Sequence, residues 1–307
     1  DNLYCQKNQH RVQKGEKNAF KKILNLCLFG FTTELSIVPL AFANDVYAEG
    51  PLPTVVDIVS LDDGKRPDIP KGSGFAVVKL KIHESKNKSS PVIGYYEKGE
   101  AVNILDDDGT WAHTDKGYVW GGYLSSTYQT PLNLHSDTEL SSRYVGYTYD
   151  IINQMEEKYK NILKNYNITL CDNPIKSSGL VPDNGNENSF MNGLTHYYSG
   201  PDRQKRLMYI RDSLDSIKGA MYHELGHAID IENFGNDGYV SDAAEVEQSY
   251  NTEMPALKEK YSLVDANTVN KMEYFAEAFR LNHEDPEGLK ATAPIIYDYV
   301  NQIIARI

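Results

Sequence analysis

The run His223-Glu224-Leu225-Gly226-His227 constrains this chain more than any other five residues in it. On an α-helix, residues four apart lie about 40° apart around the axis, so both imidazoles face one side and Glu224 lies beside them. Two imidazoles on one helical face can share a metal ion, with the neighbouring glutamate acting as a base on water activated there. Taken alone, the five residues also fit two ordinary histidines on a surface or in a core. The context decides between the two.

That context is Glu273-Tyr274-Phe275-Ala276-Glu277-Ala278-Phe279, which places two carboxylates four residues apart on a second expected helix, with Phe275 and Phe279 aligned on another face. A catalytic zinc needs three protein ligands and an open position, and the two histidines supply only two. Glu273 can be the third. Glu277, one turn on, can then hydrogen-bond the free nitrogen of a liganding imidazole and fix its tautomer. The alternative is an amphipathic helix with an exposed glutamate pair. With His223, His227 and Glu273 around a zinc ion and Glu224 moving protons, the chemistry is peptide-bond hydrolysis. A metzincin would need glycine and histidine where this chain has Asp230 and Asn233, so the pattern is that of a gluzincin.

Before these helices, several short apolar runs are separated by Lys98-Gly99-Glu100, by Asp106-Asp107-Asp108-Gly109 and by Asp115-Lys116-Gly117. They predict a small all-β barrel over residues 75–126. Its Lys-Gly-Glu turn, Gly109-Thr110-Trp111, and the stretch from Gly117-Tyr118-Val119 to Tyr123-Leu124 resemble the bacterial SH3 domain. That resemblance implies a spacer or a module for cell-wall peptides, so peptidoglycan is the partner it suggests. Trp111 and Trp120 could form an aromatic groove or belong to the barrel core.

From residue 131 to 307 the chain reads as mainly helical, with apolar residues at helical spacing from Tyr147 to Tyr166. The alternation in Arg206–Arg211 predicts a strand just upstream of the histidine helix, and it is expected to be the edge that pairs with an extended substrate. The expected fold class is therefore α+β, a helical gluzincin-type domain with a short edge strand behind a small barrel.

The histidine run with its extension Ala228-Ile229-Asp230, together with Glu273 through His283 and the tail from Ala293 to Ile304, resembles the catalytic domain of anthrax lethal factor and its relatives, the Pro-Pro endopeptidases. The resemblance implies a zinc endopeptidase with His223, His227 and Glu273 as ligands, Glu224 as general base and acid, and Glu277 behind the ligands. It also implies a proline-rich substrate preference. In those relatives a tyrosine seven residues before the ligand glutamate binds the oxyanion; here that position is Ala266. Tyr261 is the nearest candidate upstream, and its alternative is ordinary packing. Two rivals remain open: a toxin-type protease acting on host proteins, for which residues 44–130 look too short to dock on a translocation pore, and a wall-binding protein whose protease domain is impaired.

Composition bears on location and partners. A basic stretch (Lys14, Lys17, Lys21, Lys22), an apolar run from Ile23 to Phe42 and the small-x-small sequence Ala41-Phe42-Ala43 read as a signal peptide over residues 1–43, an uncleaved anchor being the alternative. Residues 44–74, rich in Pro, Asp and Gly, read as a linker or arm. The formal net charge of −12 becomes about −15 without residues 1–43, which excludes nucleic acid as a partner. Cys5 and Cys27 leave with the leader, so Cys171 has no disulfide partner within the mature chain and reads as a small buried hydrophobe. The expected product is a secreted bacterial monomer without a membrane anchor, acting on protein or peptide.

Overall fold

In the computed structural model, the described residues are 66–67, 69–128, 131–179, 192–197, 205–235, 238–263 and 268–307. The expected signal peptide, most of the expected arm, and Ala266 lie outside them. Among the described residues the chain is α+β, with two sheets and a helical layer, and no helix is long and apolar enough to cross a membrane.

The N-terminal sheet contains β1 (Gly72–Ala76), β2 (Leu80–His83), β3 (Val92–Tyr96), β4 (Ala101–Asp107), β5 (Trp111–Thr114), β6 (Gly117–Trp120) and β7 (Leu124–Ser125). Its strands are all antiparallel in the order β3-β2-β6-β5-β4-β1-β7. Apolar residues from every strand, among them Ala76, Ile82, Tyr96, Ile104, Ala112, Val119 and Leu124, share one small core. The sheet must therefore bend around its inner face. It does not close, because its outer strands β3 and β7 do not pair with each other. This corrects the expected barrel: the alternation that places side chains on an inner face is satisfied equally by a bent open sheet. At the β4–β5 turn, Gly109 adopts φ +81°, where other residues are strained, and the Asp108 carboxylate accepts from the backbone N–H of Thr110 (3.0 Å) and Trp111 (2.7 Å).

The second sheet is mixed. β8 (Asn133–Ser136) and β11 (Leu207–Arg211) both run parallel to β9 (Asn167–Cys171), while β10 (Gly193–Thr195) runs antiparallel to β11. Cys171 is fully buried on β9, and burial pushes its thiol pKa up to about 12. The helices are α1 (Val145–Asn153), α2 (Glu157–Leu163), α3 (Pro174–Ser178), α4 (Leu214–Glu232), α5 (Ala244–Thr252), α6 (Met254–Tyr261), α7 (Lys271–Glu284), α8 (Pro286–Thr292) and α9 (Pro294–Ile304). One large core joins all of them but α3 to the sheet, including Met208 and Ile210 of β11, Leu225 and Ile229 of α4, Phe275 and Phe279 of α7, and Val300 of α9.

The two parts meet closely. Val77, beside β1, packs into the large core, and its N–H bonds Tyr123 O at 3.0 Å. A side chain at Gly146 of α1 would strike the backbone of Leu124, so only glycine lets this helix lie against β7. Asp150, one turn further along α1, accepts from Ser125 Oγ (2.6 Å), Ser126 N (3.1 Å), Thr127 N (3.0 Å) and Thr127 Oγ1 (2.9 Å).

Candidate metal centre

α4 begins at Ser213, whose hydroxyl caps Ser216 N at 3.2 Å, with Asp215 in the first turn where the helix dipole favours an anion. It ends at Asn233, which takes the left-handed conformation at φ 56°. α7 begins at Asn270, whose side chain caps Glu273 N at 2.9 Å and thereby holds Glu273 in the first turn. The two helices cross where Gly226 faces Ala276. A Cβ on Gly226 would lie 2.8 Å from Ala276 Cα, so the backbones touch and the side chains on either side of the crossing converge.

They converge in a triangle of donor atoms. His223 Nε2 lies 3.1 Å from His227 Nε2 and 3.2 Å from Glu273 Oε2, and His227 Nε2 lies 3.4 Å from the same oxygen. Ligands about 2.0–2.1 Å from a tetrahedral ion sit about 3.3–3.4 Å from one another, so the spacing and the two-nitrogen, one-oxygen chemistry both fit zinc. Glu224 brings its carboxylate within 4.8 Å of both imidazoles. It is held to one side, because Thr195 Oγ1 donates to its Oε2 at 2.7 Å, which suits it to a proton-carrying role better than to coordination.

The outer nitrogens are engaged too. His223 Nδ1 is 3.1 Å from Glu277 Oε2. Arg280, one turn beyond, grips both oxygens of the fully buried Glu277, Nε to Oε2 at 3.1 Å and Nη2 to Oε1 at 2.5 Å. Burial alone would raise the pKa of Glu277, but His223 and Arg280 outweigh it and hold the carboxyl down at about 2. Glu273 is likewise held at about 2, its burial outweighed by His227 and His223. Burial pushes Glu224 the other way, up from the usual carboxylate range, with the imidazoles opposing in part. The carboxylates thus separate into two fixed anions and one group suited to taking up a proton. His227 Nδ1 lies 2.8 Å from the hydroxyl of Tyr197, which donates to Asp230 Oδ2 at 3.0 Å.

Two sequence expectations are corrected here. Tyr261, at the end of α6, does not join this group: its hydroxyl donates to Asp285 at 2.9 Å, and burial together with that contact raises its pKa to about 12. Asp285 follows the last turn of α7 and Glu273 sits in the first. The twelve intervening steps span about 18 Å of helix, so Tyr261 belongs to the far end. The strand over Arg206–Arg211 exists as β11, but it lies inside the sheet between β10 and β9. Among the described residues the edge beside α4 is β10, and a side chain at Gly193 would strike the Glu224 carboxylate. In the antiparallel pairing Asn192 and His196 direct their backbone groups to β11, so Gly193 and Thr195 direct theirs to the outer edge.

Thr195, Tyr197, Asp230 and Arg280 went unassigned from sequence. Asp230 and Arg280 carried a signal, each lying three residues beyond a site residue and so on the same helical face. Thr195 and Tyr197 carried none.

The sequence family described as "Anthrax toxin lethal factor, N- and C-terminal domain" matches residues 148–303, just over half of the chain. The chain belongs to that family, and its lethal factor-like part contains the whole of the group just described. Among solved structures it is similar to a Pro-Pro endopeptidase, PPEP-2 from Paenibacillus alvei, at 17% identity and a TM-score of 0.40, covering 55% of this chain and 96% of that one. No curated protein matches.

Proposed function

We propose that this chain is a secreted zinc-dependent endopeptidase, with His223, His227 and Glu273 as the ligands and Glu224 as general base and acid. The observation that carries the reading is the donor triangle of 3.1–3.4 Å with the Glu224 carboxylate beside it. A zinc ion held there would supply Lewis acidity, making water a nucleophile near neutral pH and polarising the scissile carbonyl. The outer edge of β10 is where an extended peptide would pair, through the backbone groups of Gly193 and Thr195 that face away from β11. Glu224, held by Thr195 at the same strand, would take a proton from the attacking water and pass it to the leaving amine. Glu277 would orient His223. A proline-rich substrate is the specificity we propose, on the resemblance of the two motif helices to the Pro-Pro endopeptidases.

We assign residues 131–307 to the protease domain, residues 75–126 to an SH3-like module and residues 44–74 to the segment linking it to a signal peptide over residues 1–43. The leader's basic and apolar pattern supports an extracellular or wall-associated location. A cell-wall peptide is the partner we propose for the module. Supporting it is a cleft of about 530 Å³ between the two parts, lined by Trp111, Trp120, His83, Lys81 and Lys88 on one side and Ser142 on the other. Trp111 is buried and edge-on to Trp120, whose Nε1 donates to Ser142 Oγ at 3.0 Å; the pair is thus part packing and part cleft wall.

The decisive experiment profiles cleavage of a peptide library by the purified protein before and after chelation, alongside metal analysis. One equivalent of zinc, and cleavage lost on chelation and restored by zinc, is the expected result. No zinc uptake on addition, or cleavage indifferent to chelation, would overturn the assignment.

A further inference from the structure

His227 is held from behind by a pathway that differs from the one behind His223. Tyr197 follows β10, and alternate residues of this stretch point at α4: Gly193 and Thr195 toward Glu224, Tyr197 toward His227. The Tyr197 hydroxyl has one proton, and its partners fix where that proton goes. Asp230 Oδ1 accepts from Ser241 N at 2.6 Å, and its Oδ2 accepts from Ser241 Oγ at 2.9 Å and from Tyr197 at 3.0 Å. With the tyrosine proton given to Asp230, the Tyr197 oxygen is left as an acceptor, and at 2.8 Å from His227 Nδ1 it takes the imidazole N–H. The Nδ1–H tautomer leaves the Nε2 lone pair facing His223 Nε2 and Glu273. The ring of Tyr197 is seated edge-to-face against both His227 and Tyr239, so its hydroxyl is aimed by packing.

We propose that Tyr197 is a positioning residue for the metal centre, relaying the buried Asp230 carboxylate to His227 so that the imidazole is fixed in the tautomer and orientation that bind zinc. The inference rests on the zinc reading above and deepens it. The strand end that would receive the substrate thereby also carries a hydrogen bond that holds a ligand.

The test measures zinc affinity by chelator competition and ligand geometry by the visible spectrum of the cobalt-substituted protein, for wild type, Tyr197→Phe, Asp230→Asn and the double variant. Tyr197→Phe keeps the ring and removes only the hydroxyl, so the metal-free protein should still unfold cooperatively, with a Tm lower by about 2–4 °C per kcal/mol of hydrogen bonding lost. Zinc binding should weaken by about 10–100-fold in Tyr197→Phe, with an altered cobalt spectrum, and the double variant should be no weaker than the worse single one. Wild-type affinity and spectrum in Tyr197→Phe would overturn the relay. So would additive losses in the double variant. Should Asp230→Asn fail to fold, Tyr197→Phe decides alone. A wild-type protein that takes up no zinc would overturn the metal reading itself, an outcome distinct from one in which wild type binds zinc and the phenylalanine variant binds it equally well.

Discussion

Substituting Gly226→Ala tests the helix crossing on which the site depends, because two effects of opposite sign compete there. In a helix interior, alanine in place of glycine is ordinarily stabilising by about 1 kcal/mol. At Gly226 the added Cβ would lie 2.8 Å from Ala276 Cα and 3.1 Å from Ala276 O, and both are backbone atoms that cannot swing aside. Carbon atoms in contact prefer about 3.5 Å or more, so α4 and α7 would have to part by about 0.7 Å. Overpacking of this kind costs about 1–3 kcal/mol, which outweighs the propensity gain and leaves a net loss of about 1 kcal/mol. A chain of this size should then lose about 2–4 °C in Tm. The same separation pulls Glu273 away from His223 and His227 by several times the roughly 0.2 Å that a metal site tolerates, so zinc affinity should fall about tenfold or more. Gly219, on the same helix, is the internal control. A Cβ there meets nothing within 4 Å, so Gly219→Ala should raise stability by about 0.5–1 kcal/mol without touching zinc binding. Calorimetry and chelator competition read both quantities. If Gly226→Ala raises Tm as Gly219→Ala does and leaves zinc affinity unchanged, the close crossing is not what assembles the site.

Glu224→Gln should retain zinc while turnover disappears, because an amide cannot take the proton from water; metal analysis beside a peptide-cleavage assay checks both, and appreciable residual turnover refutes the base assignment. Tyr261→Phe should cleave peptides like wild type and lose about 1 kcal/mol of stability, the worth of its bond to Asp285, as measured by denaturant titration. A hundredfold fall in turnover would instead restore it as an oxyanion donor. Asp150→Ala, by removing the acceptor shared by four donors of residues 125–127, of which only Thr127 N keeps another partner in Ser125 Oγ, should destabilise the full chain by about 2–4 kcal/mol. An unchanged denaturation midpoint would mean that this junction contributes nothing to the fold.

The two helices and their site faces were legible in the sequence because helical spacing is a local property: His223 and His227, like Glu273 and Glu277, are one turn apart wherever the helix goes. The short strands and their turns were legible for the same reason, through alternation and through glycines such as Gly109. What the sequence left open was how these local pieces face one another. Whether seven strands close or stay open depends on pairing between the two outermost strands, here β3 and β7, which alternation does not encode. The order of the second sheet exchanged the expected edge for an interior strand, because β10 is only three residues long and β11 is the more regular of the two. Tyr261 was selected for nearness in sequence to Glu273, and the length of α7 carried it to the opposite end. Thr195 and Tyr197 are some thirty residues from the side chains they hold, and only the antiparallel return of β10 beside α4 brings them there. Residue type and local period determined which groups can do the chemistry; the close contact of backbones at Gly226 and Ala276 decided that they meet, since the distance between two helix axes is set by the size of the side chains at their crossing and a glycine there lets the flanking side chains reach one another.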